Sequence, residues 1–291
     1  MSRESEPTAR SGLAGLWYEG SEAALRREMA RCFEHRLGPG HMPPEPAPAA
    51  EPRTTIGLVS PHAGVAYSGP AAAHGYLRIA TEGVPEVVVV IGPSHRVPCN
   101  ATMAGGVWET PLGPAAIHAD VASRLLAECD ALEDRPRAIE GEQSIELQLP
   151  FLKYICGDQL DWVPVMLADQ SYEMASRLGE AVSRVLAGMD AVIVGSSDLS
   201  HEHSERTVAA HDPLVIEQIL ALHPQELIRV RRQHDVTMCG YGAVAAMLTA
   251  TTALGATSAE QLAYYTSAEI AGAHGYVVGY LSAAIRRGTR A

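Results

Sequence analysis

The sequence is poor in several features, and each shortage removes a class of protein. Aromatic residues make up only 5% of its 291 positions. No run of about 18 apolar residues occurs, so nothing in it reads as a membrane-spanning helix. Basic clusters are equally scarce: the one short cationic stretch is Arg229-Val230-Arg231-Arg232, and the formal net charge is -12. A chain of that sign repels a phosphate backbone, which argues against nucleic-acid binding. The five cysteines, Cys32, Cys99, Cys129, Cys156 and Cys239, are odd in number, widely spread and without a CxxC pair. They fit free thiols in a reducing compartment better than a disulfide framework or a zinc ribbon. The opening residues, MSRESEPTARSG, lack the apolar core of a secretory signal, so a soluble, cytoplasmic protein with no membrane partner is expected. There is no G-x-S-x-G elbow, because GPSHR and GSSDL both lack the final glycine. That weakens a serine hydrolase, although Ser196, Ser197, Asp198 and His201 crowd one loop. The glycines form neither G-x-G-x-x-G nor a Walker loop, and nucleotide binding has no support.

What is present is an ordinary globular composition, 47% hydrophobic and 19% charged, with no break that would mark a linker. The expectation is a disordered tail over residues 1–11 and a single α/β domain over residues 12–291. Ser21 can cap a helix running from Glu22 to about His35, with Leu25, Met29 and Phe33 on one face. The Pro-rich stretch Gly38 to Pro52 predicts an irregular surface connection. Pro70 suits the first turn of a helix to about Ile79. The segment from Cys99 to Pro114 has the turn density of a β excursion, and Trp108 in it is a candidate pocket wall. Further helices are expected near residues 120–129, from 141 to 149, and at 172–186, 204–222, 224–232 and 241–254. Strands are expected near residues 56–59, 87–91, 162–167, 191–194, 262–266 and 276–281. Strands separated by helices predict a three-layer domain with a mostly parallel or mixed central sheet and helices on both faces.

Three strand ends share one design. Ile56 to Val59 stops at Ser60-Pro61 and presents His62; Val87 to Ile91 stops at Gly92-Pro93-Ser94 and presents His95; Ala191 to Val194 is followed by Gly195-Ser-Ser-Asp-Leu-Ser and His201. Ligands of open α/β sheets sit outside the carboxyl ends of strands, so these histidines are candidates for one crevice. A single loop histidine is often only bonded to backbone; the repetition is what raises these three above that. Neutral imidazoles ligate iron, copper and zinc, and Asp198, Glu142 and Cys239 are each available as an anionic third ligand. Cys99, four residues after His95, could compete. Cys239, just before Gly240 at a helix start, reads either as an activated thiolate or as a buried small hydrophobe. Cys32, Cys129 and Cys156 fall in helical segments and read as packing, and His74, His118, His211, His223 and His234 as structural or surface residues.

Taken together, SPHAG (60–64), YSGP (67–70), GPSH (92–95), TPLG (110–113), SIELQLPFL (144–152), SSDLSH (196–201), CG (239–240) and GLWYEGS near Trp17 resemble the Memo family. That family includes the bacterial AmmeMemoRadiSam system protein B and is similar in structure to the catalytic subunit of class III extradiol dioxygenases. The resemblance implies an α/β domain with a metal-binding crevice, the ligands being His62, His95 and Cys239, with Asp198 and His201 beside them as catalytic groups. In the dioxygenase relatives the third ligand is a carboxylate and the histidine matching His201 is the acid/base catalyst. The family pattern EHS reads EQS here, with Gln143 in place of the histidine.

The expected function is a non-haem iron or copper redox enzyme with an aromatic or small-molecule substrate. His201 would move the substrate proton and Asp198 would set its tautomer. Fe(II) is the first expectation, the softer thiolate set admits copper, and zinc takes the same ligand types. Trp17 and Tyr67 are placed at the mouth. The alternative is a non-catalytic protein that takes a small molecule or a phosphopeptide in the same crevice.

Overall fold

The run Val87-Val-Val-Val-Ile91 is β-branched throughout, which disfavours a helix and suits a strand covered on both faces. In the computed structural model, which describes residues 8–272 and 275–288, it lies mid-sheet and every residue of its strand is buried. The chain opens with β1 (Thr8–Arg10), α1 (Glu22–Glu34), β2 (Thr55–Ser60), α2 (Val65–Thr81), β3 (Val87–Pro93), β4 (Ala101–Thr102) and the hairpin of β5 (Val107–Thr110) and β6 (Gly113–Ile117). It continues through α3 (Ala119–Glu128), β7 (Glu133–Asp134), the short helices α4 (Pro136–Ile139), α5 (Gln143–Glu146) and α6 (Leu149–Cys156), then β8 (Asp161–Leu167) and α7 (Tyr172–Val185). The last part holds β9 (Ala191–Ser196), β10 (His201–Glu202), α8 (Glu205–Leu220), α9 (Pro224–Gln233), α10 (Tyr241–Ala253), β11 (Ala256–Thr266), α11 (Ser267–Ala271) and β12 (Val277–Arg287).

Strands β6, β8, β3, β9 and β2 lie side by side in parallel, and β12 joins β2 antiparallel with β11 paired to it. Successive residues of β2 point to opposite faces: Gly57 meets Thr251 and Met247 of α10, whereas Leu58 meets Gly75 of α2. Helices α10 and α7 therefore cover one face, and α2 with α1 and α6 the other, which is the expected three-layer α/β architecture. Cys32, Cys129 and Cys156 are buried in this packing as free thiols.

Four expectations change. The disordered tail expected over residues 1–11 does not hold at Thr8–Arg10, which pairs in parallel with Val107–Glu109, while residues 1–7 lie outside the described residues. Pro70 does not open its helix, which starts at Val65; Tyr67 N and Ser68 N already donate to Gly64 O, so Pro70 stands in the second turn of a formed helix and forgoes one hydrogen bond there. The late strands are eleven residues each, longer than their apolar cores, because β11 and β12 zip together along their lengths. Trp108 is wholly buried against Trp162, ring centroids 5.6 Å apart, because its hairpin lays it onto the core; it lines no crevice. Among the described residues no helix is long and apolar enough to cross a membrane.

The start of β2 is tied to the end of α2 by one carboxylate. Glu82 accepts from Thr54 N and Thr55 N on Oε2, each at 2.9 Å, and from the hydroxyls of Thr54 and Thr55 on Oε1 at 3.1 and 2.6 Å. Burial alone would raise its pKa, but these four donors outweigh it and hold the group below the usual carboxylate range. A depressed carboxylate contributes stability that is present above its unfolded pKa and lost as pH falls through its folded one. Glu82→Gln is expected to cost about 1–2 kcal/mol at neutral pH, the partly exposed site screening part of the effect. Urea unfolding at pH 7 and again below pH ~4 should show the variant's deficit shrinking on the acid side.

Candidate metal centre

The parallel order β3, β9, β2 brings three carboxyl ends to one edge of the sheet, with Ser60 opposite Ser196 and Ile91 opposite Gly195. His62 follows β2, His95 follows β3, and Asp198 and His201 follow β9. Cys239 arrives from elsewhere, at the turn before α10. The ligand atoms of His62, His95 and Cys239 lie within 4.8 Å of one another, and so do those of Asp198, His201 and Cys239. Cys239 belongs to both groups, which makes it the joint between them.

Cys239 reaches this position because the next residue is glycine. A Cβ on Gly240 would stand 2.2 Å from Ser196 O and 2.8 Å from Ser197 Cβ, so only glycine lets this turn press against the end of β9. Gly240 N then donates to Ser197 Oγ at 2.8 Å. The same rule holds at β3, where a Cβ on Gly92 would meet Ser144 Oγ at 2.5 Å. That close approach brings α5 against the His95 loop, and Ser144 Oγ donates to Pro93 O.

Each ligand is oriented from behind. His62 is buried; its backbone N donates to Asp198 Oδ1 at 2.8 Å, and its Nδ1 lies 2.8 Å from Ser196 Oγ. Ser196 Oγ also accepts from Gln148 Nε2, and with two lone pairs it can accept from His62 as well. Nε2 of His62 then faces Cys239 Sγ at 3.2 Å. His95 is gripped twice by the buried Glu142, whose Oε1 is 2.7 Å from Nδ1 and whose Oε2 accepts the backbone N at 2.8 Å. Glu142 is thus a support and not one of the grouped ligand atoms. This pairing puts the ring hydrogen on Nδ1 and leaves Nε2 as the donor.

The electrostatics agree with neutral donors. Burial, helped by neighbouring His95, drives the pKa of His62 well down, so its ring is uncharged. Glu142 is pushed up by burial but more strongly down by the His95 ring and the His95 and Ser144 amides, and stays ionised. Burial and then the charge of Asp198 push the Cys239 thiol up, overriding any help from the start of α10. The activated-thiolate expectation is therefore corrected: without a cation nearby Cys239 is a neutral thiol. A metal ion reverses that preference, since a coordinating thiol is deprotonated. The donor set, two imidazole nitrogens and one sulfur with a carboxylate behind one imidazole, suits iron, copper or zinc.

His201 is held differently from the expectation. Its Nδ1 lies 3.1 Å from Thr237 O and its backbone N donates to Thr237 Oγ1 at 2.7 Å. Asp198 Oδ2 is 3.9 Å from Nε2, too long for a hydrogen bond, because Oδ1 is committed to the amides of His62 and Ala63. Thr237, not Asp198, sets the tautomer. Ser196 and Ser197 are fully buried, and their hydroxyls serve His62 and the Cys239 turn, so neither is placed as a nucleophile. Cys99 is not among the grouped ligands.

Trp17 and Tyr67 flank Gly64, two residues after His62, and stay 39% and 46% exposed. Tyr276, half exposed, stands 6.3 Å from the His201 ring, and no local pattern in the sequence marks it. The supporting roles of Glu142, Ser196, Gln148 and Thr237 are likewise invisible in the sequence, because they depend on contacts between distant segments.

Residues 10–284 match the family model of the Memo-like protein. A MEMO1 family protein of Methanopyrus kandleri is 39% identical over 95% of this chain and 98% of its own length. A second, from Thermotoga petrophila, is 38% identical over 93% of this chain and 97% of its own. The crystal structure of an uncharacterised protein from Escherichia coli K12 shares the fold with a TM-score of 0.54 at 14% identity, covering 81% of this chain and all of that one. With the family pattern running almost end to end and relatives matched over nearly their whole length, the chain belongs to the Memo family.

Proposed function

We propose that this protein is a metal-dependent oxidoreductase that acts on a small aromatic substrate, with Fe(II) or copper held by His62, His95 and Cys239. The observation that carries the reading is the convergence of two imidazoles, each fixed from behind, and a thiol at the carboxyl edge of the sheet, with the exposed Trp17 and Tyr67 beside Gly64, two residues from His62. A bound iron or copper ion supplies one-electron chemistry toward O2. The chain's own residues do the rest. Ser196 and Glu142 keep Nε2 of His62 and His95 available as donors. His201, with its Nδ1 hydrogen given to Thr237 O, has Nε2 free to take a proton from a substrate hydroxyl. Asp198, whose carboxyl is pushed up by burial against the pull of His201 and the His62 and Ala63 amides, stands 3.9 Å from that nitrogen and acts on it through its charge and not by a direct hydrogen bond. Trp17 and Tyr67 offer flat faces to an aromatic ring.

A second reading has its own support. Trp17 and Tyr67 beside Gly64, and Tyr276 beside the His201 ring, are exposed in a chain in which aromatic residues are few, and this favours a binding protein that takes a small molecule or a peptide, phosphorylated or not.

Metal analysis of protein purified with and without air should find Fe(II) or copper in the native chain. His62→Ala and Cys239→Ser should lose it, and Glu142→Gln should weaken binding about 10–100-fold. A native chain that takes up neither Fe(II) nor Cu(I), and so matches His62→Ala, would sink the metal assignment. For catalysis, metal-loaded protein should consume O2 with a catechol, and His201→Ala should keep the metal while losing most of that turnover, about 100-fold or more. No O2 uptake, together with a calorimetric signal for an aromatic peptide that is the same with and without metal, would decide for the binding reading.

A further inference from the structure

The exposed Trp17 is carried by a turn that is bonded within itself. Gly15 N donates to Tyr18 O at 2.7 Å, and Leu16 N and Trp17 N both donate to Leu13 O, at 3.0 and 2.9 Å. Such a turn moves as a unit, so its place depends on what holds its two feet. One carboxylate holds both: Glu146 Oε1 accepts from Leu13 N at 2.8 Å and from the Tyr18 hydroxyl at 2.9 Å, while Oε2 accepts from Gly12 N at 3.0 Å. Glu146 is wholly buried and touches none of the grouped ligand atoms. At its tip the turn meets the start of α2, three residues after His62, where Val65 N donates to Trp17 O at 2.9 Å.

Glu146 also lies one helical turn after Glu142, and its backbone N donates to Glu142 O at 2.9 Å. Glu142 is the residue that grips His95. The four-residue helix α5 thus has the support of a ligand at one end and the support of the aromatic turn at the other. A displacement of either end is transmitted over a single turn of backbone hydrogen bonds.

We propose that Glu146 is a positioning residue that sets Trp17 at the mouth of the metal crevice and, through α5, couples the placement of this aromatic wall to the loading of His95. The ligand class this fits is a planar aromatic molecule lying against the indole while its polar edge faces the metal. The coupling rests on the metal-centre reading; the placement of Trp17 by Glu146 does not. Because the link is energetic and reciprocal, a metal that steadies His95 steadies Trp17, and loss of the Glu146 contacts weakens metal binding by the same factor.

Of the three tryptophans, Trp108 and Trp162 are fully buried, so acrylamide quenching reads Trp17 almost alone. Zn(II) is the probe metal, since its filled d shell leaves the fluorescence unperturbed by redox change. In the native chain Zn(II) should lower the quenching constant. Glu146→Gln, which turns an amide donor toward Gly12 N, and Tyr18→Phe, which removes one donor and keeps the ring, should each raise the metal-free constant at least about twofold. Both should also abolish most of the Zn(II) effect. Should Glu146→Gln fail to fold, Tyr18→Phe carries the comparison. Variants whose metal-free constants equal the native value overturn the positioning, and variants in which Zn(II) acts as strongly as in the native chain overturn the coupling. If the native chain binds no Zn(II), the coupling falls with the metal reading, while the metal-free comparison still decides whether Glu146 places Trp17.

Discussion

Ser196 lies opposite Ser60 and Gly195 opposite Ile91 in the parallel pairing of β9 with its two neighbours. Because side chains alternate along a strand, a slip of one residue in either pairing would turn every buried residue of a strand to the wrong face. It would also move one strand end by about 3.3 Å relative to the next. The hydrogen bond that Ser196 Oγ accepts from the His62 ring spans that junction, and so does the pair of amides that His62 and Ala63 give to Asp198. The buried core and the candidate metal centre therefore depend on one register. The valine-rich centre of the sheet holds it by burial on both faces, and the site borrows a rigidity that its own loops could not supply.

The groups behind the ligands follow a division of labour set by burial. Glu142 is buried yet ionised, because every lone pair aimed at the protein meets a donor from His95 or Ser144. Asp198 is equally enclosed but has fewer donors, and burial leaves its carboxyl raised. Two carboxylates within one site thus differ in charge preference, one fixing a ring by staying charged and the other pushed by burial toward its neutral form. Gly92 and Gly240 make both possible by letting α5 and the Cys239 turn approach the strand ends more closely than any side chain allows.

This distribution explains what can be read from the residues alone. Apolar, β-branched runs ending in proline and histidine are contiguous, so His62 and His95 are visible as strand-end residues, and the alternation of such runs with helical segments indicates the layered α/β fold. The helices of residues 22–34 and 172–185 follow from local spacing, the second with a Ser171 cap, and that of residues 241–253 from its alanine content. The support for His95 comes from 47 positions away, and the contact between Cys239 and His62 spans 177. No period or turn signal encodes such distances; only the ordered motifs of the family join Cys239 to the histidines. Trp108 illustrates a different limit. In a four-residue strand the alternation does not say which face is the core, and a tryptophan that could wall a pocket instead packs on Trp162. The three residues of β1 are too few to carry any pattern and form a strand only because β5 offers an edge.

The charge state of the centre narrows what it can receive. Burial favours the neutral form of His62 and of the Cys239 thiol, and raises the carboxyl of Asp198. A divalent cation agrees with the neutral imidazole and reverses the preference of the thiol and the carboxyl, so all three can be satisfied at once. An anion would leave the thiol and the carboxyl neutral and so find no positive partner among the three, and it would meet a chain of net charge -12 besides. A phosphorylated ligand would therefore need the metal, or His201 in its charged form, to neutralise it first. A neutral aromatic ligand of the class proposed above would meet no such requirement: it would enter uncharged past Trp17 and Tyr67, with His201 as the group proposed to take its proton.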